Sequence, residues 1–238
     1  MYNLREIKKI AVLLFVRNAY EELKHKALIK GESSKNVLLF KYLNKRIVNT
    51  VKDTDYNYFI IDSSQQHGRT FAERFKNAFK SIFQAGYDAV ISLGNDTPQV
   101  NSKTLHDVVD HFEHNDVVVG KTNLGGAYTI GLTKYAFSKC SFEAVDWRTS
   151  HVVESIEERA IFQGSSFVQL DEVYTELSTH NDLNLFLQQL LTKHIRLEDD
   201  TFFLSLISKP NHFDNYPQLQ MDIILHGVTE IRGSPSFI

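Results

Sequence analysis

The sequence has few of the residues and segments that cross-link a protein or attach it to a membrane. It has one cysteine, Cys140, and no run of apolar residues that approaches the roughly 20 needed to span a bilayer. A single cysteine excludes an intrachain disulfide and a cysteine-cluster zinc site, and is typical of a reducing compartment. Residues 1–9 lack the apolar core of a signal peptide. We therefore expect a cytoplasmic protein without a membrane span.

Motifs that would indicate a common cofactor are also missing. No Gly-x-Gly-x-x-Gly follows the first predicted strand, and no complete Gly-x-x-x-x-Gly-Lys-Ser/Thr loop is present, which argues against a dinucleotide cofactor and a P-loop kinase. The ten histidines include no His-x-x-x-His pair, so a zinc site is not expected. The net charge of -3 argues against nucleic acid as a partner, although a basic cleft for a small anion remains compatible with it.

The chain does contain a regular alternation of elements. Apolar runs at residues 10–16, 58–61, 89–93 and 117–120 indicate strands, and apolar residues at helical spacing lie between them. This alternation predicts one α/β domain, a three-layer α/β/α arrangement with a mostly parallel mixed sheet. A strand at residues 128–132 follows too closely for a helical crossover, so we expect an antiparallel or displaced neighbour there.

Other features of the sequence predict the ends of one helix and the end of the domain. Thr70 and Glu73 have the spacing of a capping box, which predicts the start of a helix, and Gly86 predicts its end. We expect residues 1–196 to form the domain. Residues 197–238, with short strands predicted near 221–225 and 228–231, would form a C-terminal extension. It would pack either on this domain or on a second copy of the chain, which would make a homo-oligomer.

Asp96 is the most informative single residue. It follows the apolar strand 89–93 and Gly94, so it would lie at the carboxyl end of that strand. Ligands of open α/β sheets bind beyond the carboxyl ends of the strands, and a carboxylate there suits a divalent cation that neutralises phosphates. The alternative is structural, because an Asp before Thr-Pro often begins a turn.

Several segments occur in an order that resembles one known family. They are Val16-Arg17, Leu23-Lys-His-Lys-Ala-Leu28, Gln66-His-Gly68-Arg-Thr-Phe-Ala-Glu73-Arg74, Gly94-Asn-Asp96-Thr-Pro98, Leu124-Gly-Gly-Ala-Tyr-Thr-Ile-Gly-Leu132 and Trp147-Arg-Thr149. Together they resemble a bacterial family of GT-A-like proteins described as glycosyltransferase-like or nucleotide-diphospho-sugar transferases. Distant relatives include the guanylyltransferases of molybdenum-cofactor and phospholactate metabolism. The likeness runs from about residue 10 to residue 186.

The resemblance implies a metal-dependent transferase with a nucleotide-activated donor, either a nucleotide sugar or a nucleoside triphosphate, and a small-molecule acceptor. Asp96 would hold Mg²⁺ or Mn²⁺. The nucleotide would be bound by Arg17, Lys24, Lys26 and Arg74. The acceptor side would consist of Gly125, Gly126, Tyr128, Trp147 and Thr149.

One departure from the family pattern opens alternatives. Leu124 stands where the family has an acidic residue, and a leucine can neither bind a cation nor act as a base. Asp146 is the best-placed replacement by sequence and our candidate for the catalytic base, with Asp62 and Glu143 as second choices. The protein could instead transfer a nucleotidyl group to a phosphorylated acceptor, or be a catalytically silent binding or assembly protein.

The candidate residues also have structural explanations. Lys24 and Lys26 suit a solvated basic face, and Arg17 a solvated loop. Arg74 suits a salt bridge. A tight turn would also require Gly125 and Gly126. Aromatic side chains such as those of Tyr128 and Trp147 pack cores as readily as they stack on ligands.

Overall fold

Six strands form one mixed sheet within the part of the chain that the computed structural model describes, residues 7, 9–197 and 201–207. Their order across the sheet is β2-β1-β3-β5-β4-β6. The strands are β1 (Ile10–Phe15), β2 (Asn57–Ile61), β3 (Ala89–Leu93), β4 (Val117–Lys121), β5 (Ala127–Thr133) and β6 (Phe167–Gln169). The predicted alternation of strands and helices is confirmed.

The sheet changes direction at β5. β1 pairs in parallel with β2 and β3, and β4 pairs in parallel with β6. β5 is inserted between β3 and β4 and is antiparallel to both. The connection 122–126 is too short for a crossover helix, so the chain can only turn back beside β4. The antiparallel neighbour expected from the sequence is confirmed.

Helices cover the two faces of this sheet. They are α1 (Ala19–Leu23), α2 (Ser33–Lys52), α3 (Phe71–Gln84), α4 (Ser102–His111), α5 (Lys134–Lys139), α6 (Val152–Phe162), α7 (His180–Leu191) and α8 (Thr201–Ile207), with a 3₁₀ turn at Phe142–Ala144. Side chains of α3 and α6 form one core with the sheet, and side chains of α2 and α4 form a second core on the opposite face. This is the predicted three-layer arrangement, and all five residues of β3 are buried at its centre.

The start of α3 confirms the predicted capping box. The Thr70 hydroxyl accepts from the backbone N–H of Glu73 at 3.1 Å, and the Glu73 carboxylate accepts from the N–H of Thr70 at 3.4 Å. Gly86 follows the helix with a φ of 93°, a conformation that costs glycine little. The short α1, α5 and 3₁₀ turn were not predicted, because segments of so few residues carry no clear periodicity.

A third cluster of apolar side chains joins α2, α7 and α8. The ring of Phe202 stacks on Tyr42 with 4.0 Å between centroids, and Phe203 meets Phe186 edge-on at 5.0 Å. Residues 201–207 therefore pack on α2 and α7. The strands predicted near 221–225 and 228–231 lie outside the described residues. Of the described helices, none combines the length and the apolar character that crossing a bilayer requires.

Candidate functional site

An open cleft of about 620 Å³ lies at the carboxyl ends of β1 and β3 and the amino end of β5. Its walls come from residues 15–17, 94–96, 124 and 126–128, together with the loop 147–149 and residues 176 and 178. The volume is in the range of small-molecule sites, and this end of an α/β sheet is where ligands bind.

A buried carboxylate organises one side of the cleft. Asn18 caps α1 by accepting from the N–H groups of residues 20 and 21, and the helix turns Glu22 inward, where only 4% of the residue is exposed. Its two oxygens receive Arg17 Nη1 and Lys26 Nζ, each at 3.1 Å. Burial would raise the pKa of Glu22, but the charges of Lys26 and Arg17 outweigh it and hold the pKa below its usual value. We call Arg17, Glu22 and Lys26 the charged cluster.

Lys26 connects this cluster to Asp96. Its ammonium group donates to the carbonyl oxygen of Leu177 at 3.0 Å and lies 3.6 Å from Oδ2 of Asp96. Desolvation would lower the pKa of Lys26, yet Asp96, Glu22 and then Glu176 together raise it, so the side chain is a firmly charged cation in the cleft. Lys24 differs, because it pairs with Glu21 at 2.7 Å, is largely exposed and does not line the cleft.

Asp96 presents its carboxylate to the cleft. Its side chain keeps 34% of its surface exposed, while its backbone carbonyl accepts from Leu177 N–H at 2.8 Å. Among the described residues, no backbone amide donates to the Asp96 carboxylate. The turn that follows is closed by the backbone bond from Val100 N–H to the Thr97 carbonyl. The carboxylate is therefore not used to begin that turn.

Two asparagines join the end of β1 to the end of β3. Asn44 of α2 donates to the backbone carbonyl of Arg17 at 2.9 Å, and its own side-chain oxygen accepts from Asn95 at 2.5 Å. Asn44 is buried, so these bonds replace water that it has lost. They hold Arg17 and Asp96 on neighbouring strand ends.

Glu176 is a cleft carboxylate that the sequence did not reveal. Its oxygens accept from the Thr122 hydroxyl at 2.9 Å and the Ser178 hydroxyl at 2.6 Å. A Cβ atom at Gly126 would lie 2.7 Å from Oε2 of Glu176, so the glycine makes room for it. Leu124, 40% exposed on the cleft wall, supplies no charge.

The carboxylates proposed as replacements for Leu124 lie elsewhere. Asp146 is exposed beside the cleft rather than in it, because its N–H donates to Ser155 Oγ at 3.1 Å and fixes the chain there. Asp62 accepts from the N–H of Ser64 at 2.8 Å, and Glu143 pairs with Lys76 on the surface. None of the three lines the cleft.

Aromatic side chains form the opposite side of the cleft. Trp147 meets Phe71 at 5.1 Å and Phe75 at 5.5 Å between centroids, and we call these three residues the aromatic wall. The indole N–H of Trp147 donates to the carbonyl of Phe142 at 2.7 Å. Trp147 is half-buried, so it both packs on the core and lines the cleft.

The loop that carries Trp147 is tightly held. Arg148 has a φ of 64°, which is strained for a residue other than glycine and is found mainly where surrounding contacts enforce it. Thr149, on the cleft wall, donates its hydroxyl to the carbonyl of Asp146 at 2.7 Å. Gly125 has a φ of 81°, and a Cβ atom there would lie 1.9 Å from the carbonyl oxygen of Ser150.

The remaining candidates divide between the cleft and the core. Arg74 lines the cleft and donates to the backbone carbonyl of Arg69 at 3.3 Å. Tyr128 is among the residues that line the cleft, but only 2% of it is exposed and its ring stacks on Tyr174 at 4.6 Å. Burial raises its pKa, and its hydroxyl donates to the Glu172 carbonyl at 3.2 Å. The ring is therefore occupied by packing and offers no stacking surface to a ligand.

Asp96 and Glu176 are candidate ligands for a cation in the cleft. The described residues contain no group of three or more His, Cys, Asp or Glu side chains that could hold a metal ion by themselves. Asp96 and Glu176 nevertheless both line the cleft and both act on the charge of Lys26. Mg²⁺ is commonly held by one or two carboxylates together with substrate phosphates, so this pair suits a cation that arrives with a nucleotide.

Comparison with known proteins supports this architecture. Residues 53–149 match a family described as an uncharacterized protein conserved in bacteria, DUF2064. A “putative nucleotide-diphospho-sugar transferase” of Desulfovibrio desulfuricans G20 superimposes with a TM-score of 0.72 over 84% of this chain and 95% of its own, at 20% identity. The chain has the nucleotide-diphospho-sugar transferase fold. The resemblance that the sequence motifs indicated is confirmed.

A second solved structure has a more distant likeness. It is the 4-diphosphocytidyl-2C-methyl-D-erythritol synthase of Anaerococcus prevotii DSM 20548, with a TM-score of 0.50 at 9% identity. The match covers 80% of this chain and 98% of that one. No curated protein matches this chain in sequence.

Proposed function

We propose that the protein is a transferase whose cleft binds a nucleotide-activated donor, in the manner of a glycosyltransferase. The observation that carries this proposal is the position of Lys26, between the buried Glu22 and the cleft carboxylate of Asp96, at the carboxyl ends of β1 and β3. A cation fixed in this way needs no rearrangement before it meets a diphosphate. The names of the solved proteins that share the fold agree with such a substrate.

We assign a role to each charged residue at the carboxyl ends of β1 and β3 from its contacts. Arg17 and Lys26 bind phosphate oxygens, while Glu22 holds both cations in place. Asp96 and Glu176 would hold Mg²⁺ or Mn²⁺, and that ion would stabilise negative charge on the leaving diphosphate. Gly126 leaves space for the Glu176 carboxylate. The acceptor would lie on the other side of the cleft, against Trp147 and Thr149.

Thermal unfolding with a panel of nucleoside diphosphates, triphosphates and nucleotide sugars, with and without Mn²⁺, tests the donor site. We expect at least one nucleotide to raise the unfolding temperature, since a ligand that binds only the folded state stabilises it. Asp96→Asn and Glu176→Gln should remove the additional effect of Mn²⁺, and Lys26→Met should weaken the nucleotide effect itself. Lys24→Met, which removes an exposed positive charge outside the cleft, is the matched control.

Analysis of the products distinguishes glycosyl transfer from nucleotidyl transfer. Transfer of a labelled sugar from a nucleotide sugar supports the proposal. Release of pyrophosphate from a nucleoside triphosphate without sugar transfer would establish nucleotidyl transfer instead. Absence of any nucleotide effect on unfolding would contradict the donor site and favour a binding or assembly protein.

A further inference from the structure

Two arginines on the aromatic side of the cleft have no acidic partner among the described residues. Arg17, on the other side, is paired with Glu22. Arg74 and Arg148 form no ion pair within residues 7, 9–197 and 201–207; Arg74 donates to a backbone carbonyl, and Arg148 is exposed. Both line the cleft, so their charges are available to a ligand rather than to the protein.

Arg148 contacts the aromatic wall through its guanidinium group. Its guanidinium carbon lies 5.9 Å from the centroid of the Phe71 ring, within the range of a cation–π contact. Its backbone is left-handed, with a φ of 64°, which is uncommon for a residue other than glycine. A guanidinium fixed over a ring keeps its N–H groups at the edge, where they can donate in pairs to a phosphate or carboxylate.

The aromatic wall itself offers apolar surface only. The one N–H group of Trp147 is already used by the carbonyl of Phe142, and Phe71 has no polar atom. Both rings are half-buried and line the cleft. These two rings offer a ligand no hydrogen-bond partner, so they favour a flat apolar group, which gains from burial without needing one.

We propose that this side of the cleft is a subsite for an acceptor that combines a flat apolar body with an anionic group. The body packs on Phe71 and Trp147, and the anion is bound by Arg148 and Arg74. The proposal rests on the proposed function only in calling this ligand the acceptor. The binding itself is a property of these four residues and can be measured without any donor.

Trp147 makes the test direct, because it is the only tryptophan of the chain and its fluorescence reports on this wall. Phenyl phosphate serves as the probe, with inorganic phosphate and phenol as its two halves. We expect phenyl phosphate to change Trp147 emission at lower concentration than either half. Arg148→Gln and Arg74→Gln should each weaken its binding by about tenfold, the value of one charged hydrogen bond. Arg196→Gln, an exposed arginine outside the cleft, should leave it unchanged.

The outcomes separate this proposal from the donor site. Phenyl phosphate that leaves Trp147 emission unchanged, or binds equally well to the double variant Arg74→Gln/Arg148→Gln, overturns the subsite. Binding of phenol as tight as that of phenyl phosphate overturns the role of the arginines. Nucleotide stabilisation that is lost in the same double variant would assign the arginines to the donor and also overturn the subsite. If phenyl phosphate binds but no nucleotide raises the unfolding temperature, the subsite is supported and only the donor site is contradicted.

Discussion

Lys26 and Asp96 are neighbours in the folded protein, with 3.6 Å between Nζ and Oδ2. A cation from the segment after α1 thereby meets the carboxylate at the end of β3. The same ammonium group also closes an ion pair with Glu22 and a hydrogen bond to the carbonyl of Leu177. Lys26 is therefore both the proposed ligand for an incoming anion and a link between three segments of the chain.

Replacing Lys26 tests its second role. Lys26→Met leaves the buried Glu22 with Arg17 as its remaining cation, and we expect the free energy of unfolding to fall by about 1–3 kcal/mol. Urea denaturation at neutral pH measures this change. Lys24→Met removes an exposed pair with Glu21 and should change stability by no more than about 0.5 kcal/mol. Equal effects of the two substitutions would contradict the structural role of Lys26.

Glu22 gives the protein a predictable acid sensitivity. Its pKa in the folded protein is lower than the usual 4.5, so the unfolded chain binds a proton at higher pH than the folded one. The stability that Glu22 contributes is present above about pH 4.5 and is lost as the pH falls through the lowered pKa. As the pH is lowered from about 6 to about 3, the unfolding temperature should fall more steeply for the wild type than for Glu22→Gln.

A matched control is available one residue earlier. Glu21 lies on the same helix but is more exposed, and it pairs with Lys24 at the surface. Glu21→Gln should keep the acid slope of the wild type. A Glu22→Gln variant with an unchanged slope would show that the carboxylate is not held ionised by Arg17 and Lys26.

Local patterns were sufficient to predict some of this site. The apolar run of β3 and Gly94 predicted that Asp96 follows a buried strand, and Thr70 with Glu73 predicted the cap of α3. Each of these features depends on residues within a few positions of one another. They could therefore be inferred before any long-range contact was known.

The partners of these residues could not be predicted in the same way. Lys26 donates to Leu177, which is 151 residues away in the chain, and no spacing rule connects the two. Glu22 has the appearance of a solvated charge on a short helix, and only Arg17 and Lys26 explain its burial. Glu176 lies in the cleft because Gly126 lacks a side chain, a relationship that exists only in three dimensions.

Gly125 should be intolerant of substitution for two separable reasons. Gly125→Ala places a residue at a φ of 81°, which costs about 1–2 kcal/mol. It also drives a Cβ atom to 1.9 Å from the carbonyl oxygen of Ser150, which adds about 1–3 kcal/mol of strain. Urea denaturation measures the sum.

Gly31 isolates the first of these costs. Its φ of 72° is similar, but a Cβ atom there would meet nothing within 4 Å. Gly31→Ala should therefore show the backbone cost alone. If the two alanine variants were equally stable, Ser150 would not be packed on Gly125, and the loop that carries Arg148 would be free to move.

Tyr128 tests the boundary between core and cleft. A Cβ atom at Gly120 would lie 2.1 Å from the Tyr128 ring, so the ring occupies the space left by the glycine, and its hydroxyl reaches the carbonyl of Glu172. Tyr128→Phe should lower the free energy of unfolding by about 1 kcal/mol, through loss of that hydrogen bond. It should leave the fluorescence response to phenyl phosphate and the nucleotide effect on unfolding unchanged.

Trp147→Phe, on the aromatic wall, is the contrasting variant and should weaken phenyl phosphate binding when measured by calorimetry. If Tyr128→Phe weakened binding as much as Trp147→Phe does, the hydroxyl of Tyr128 would contact the ligand, which would contradict its place in the core.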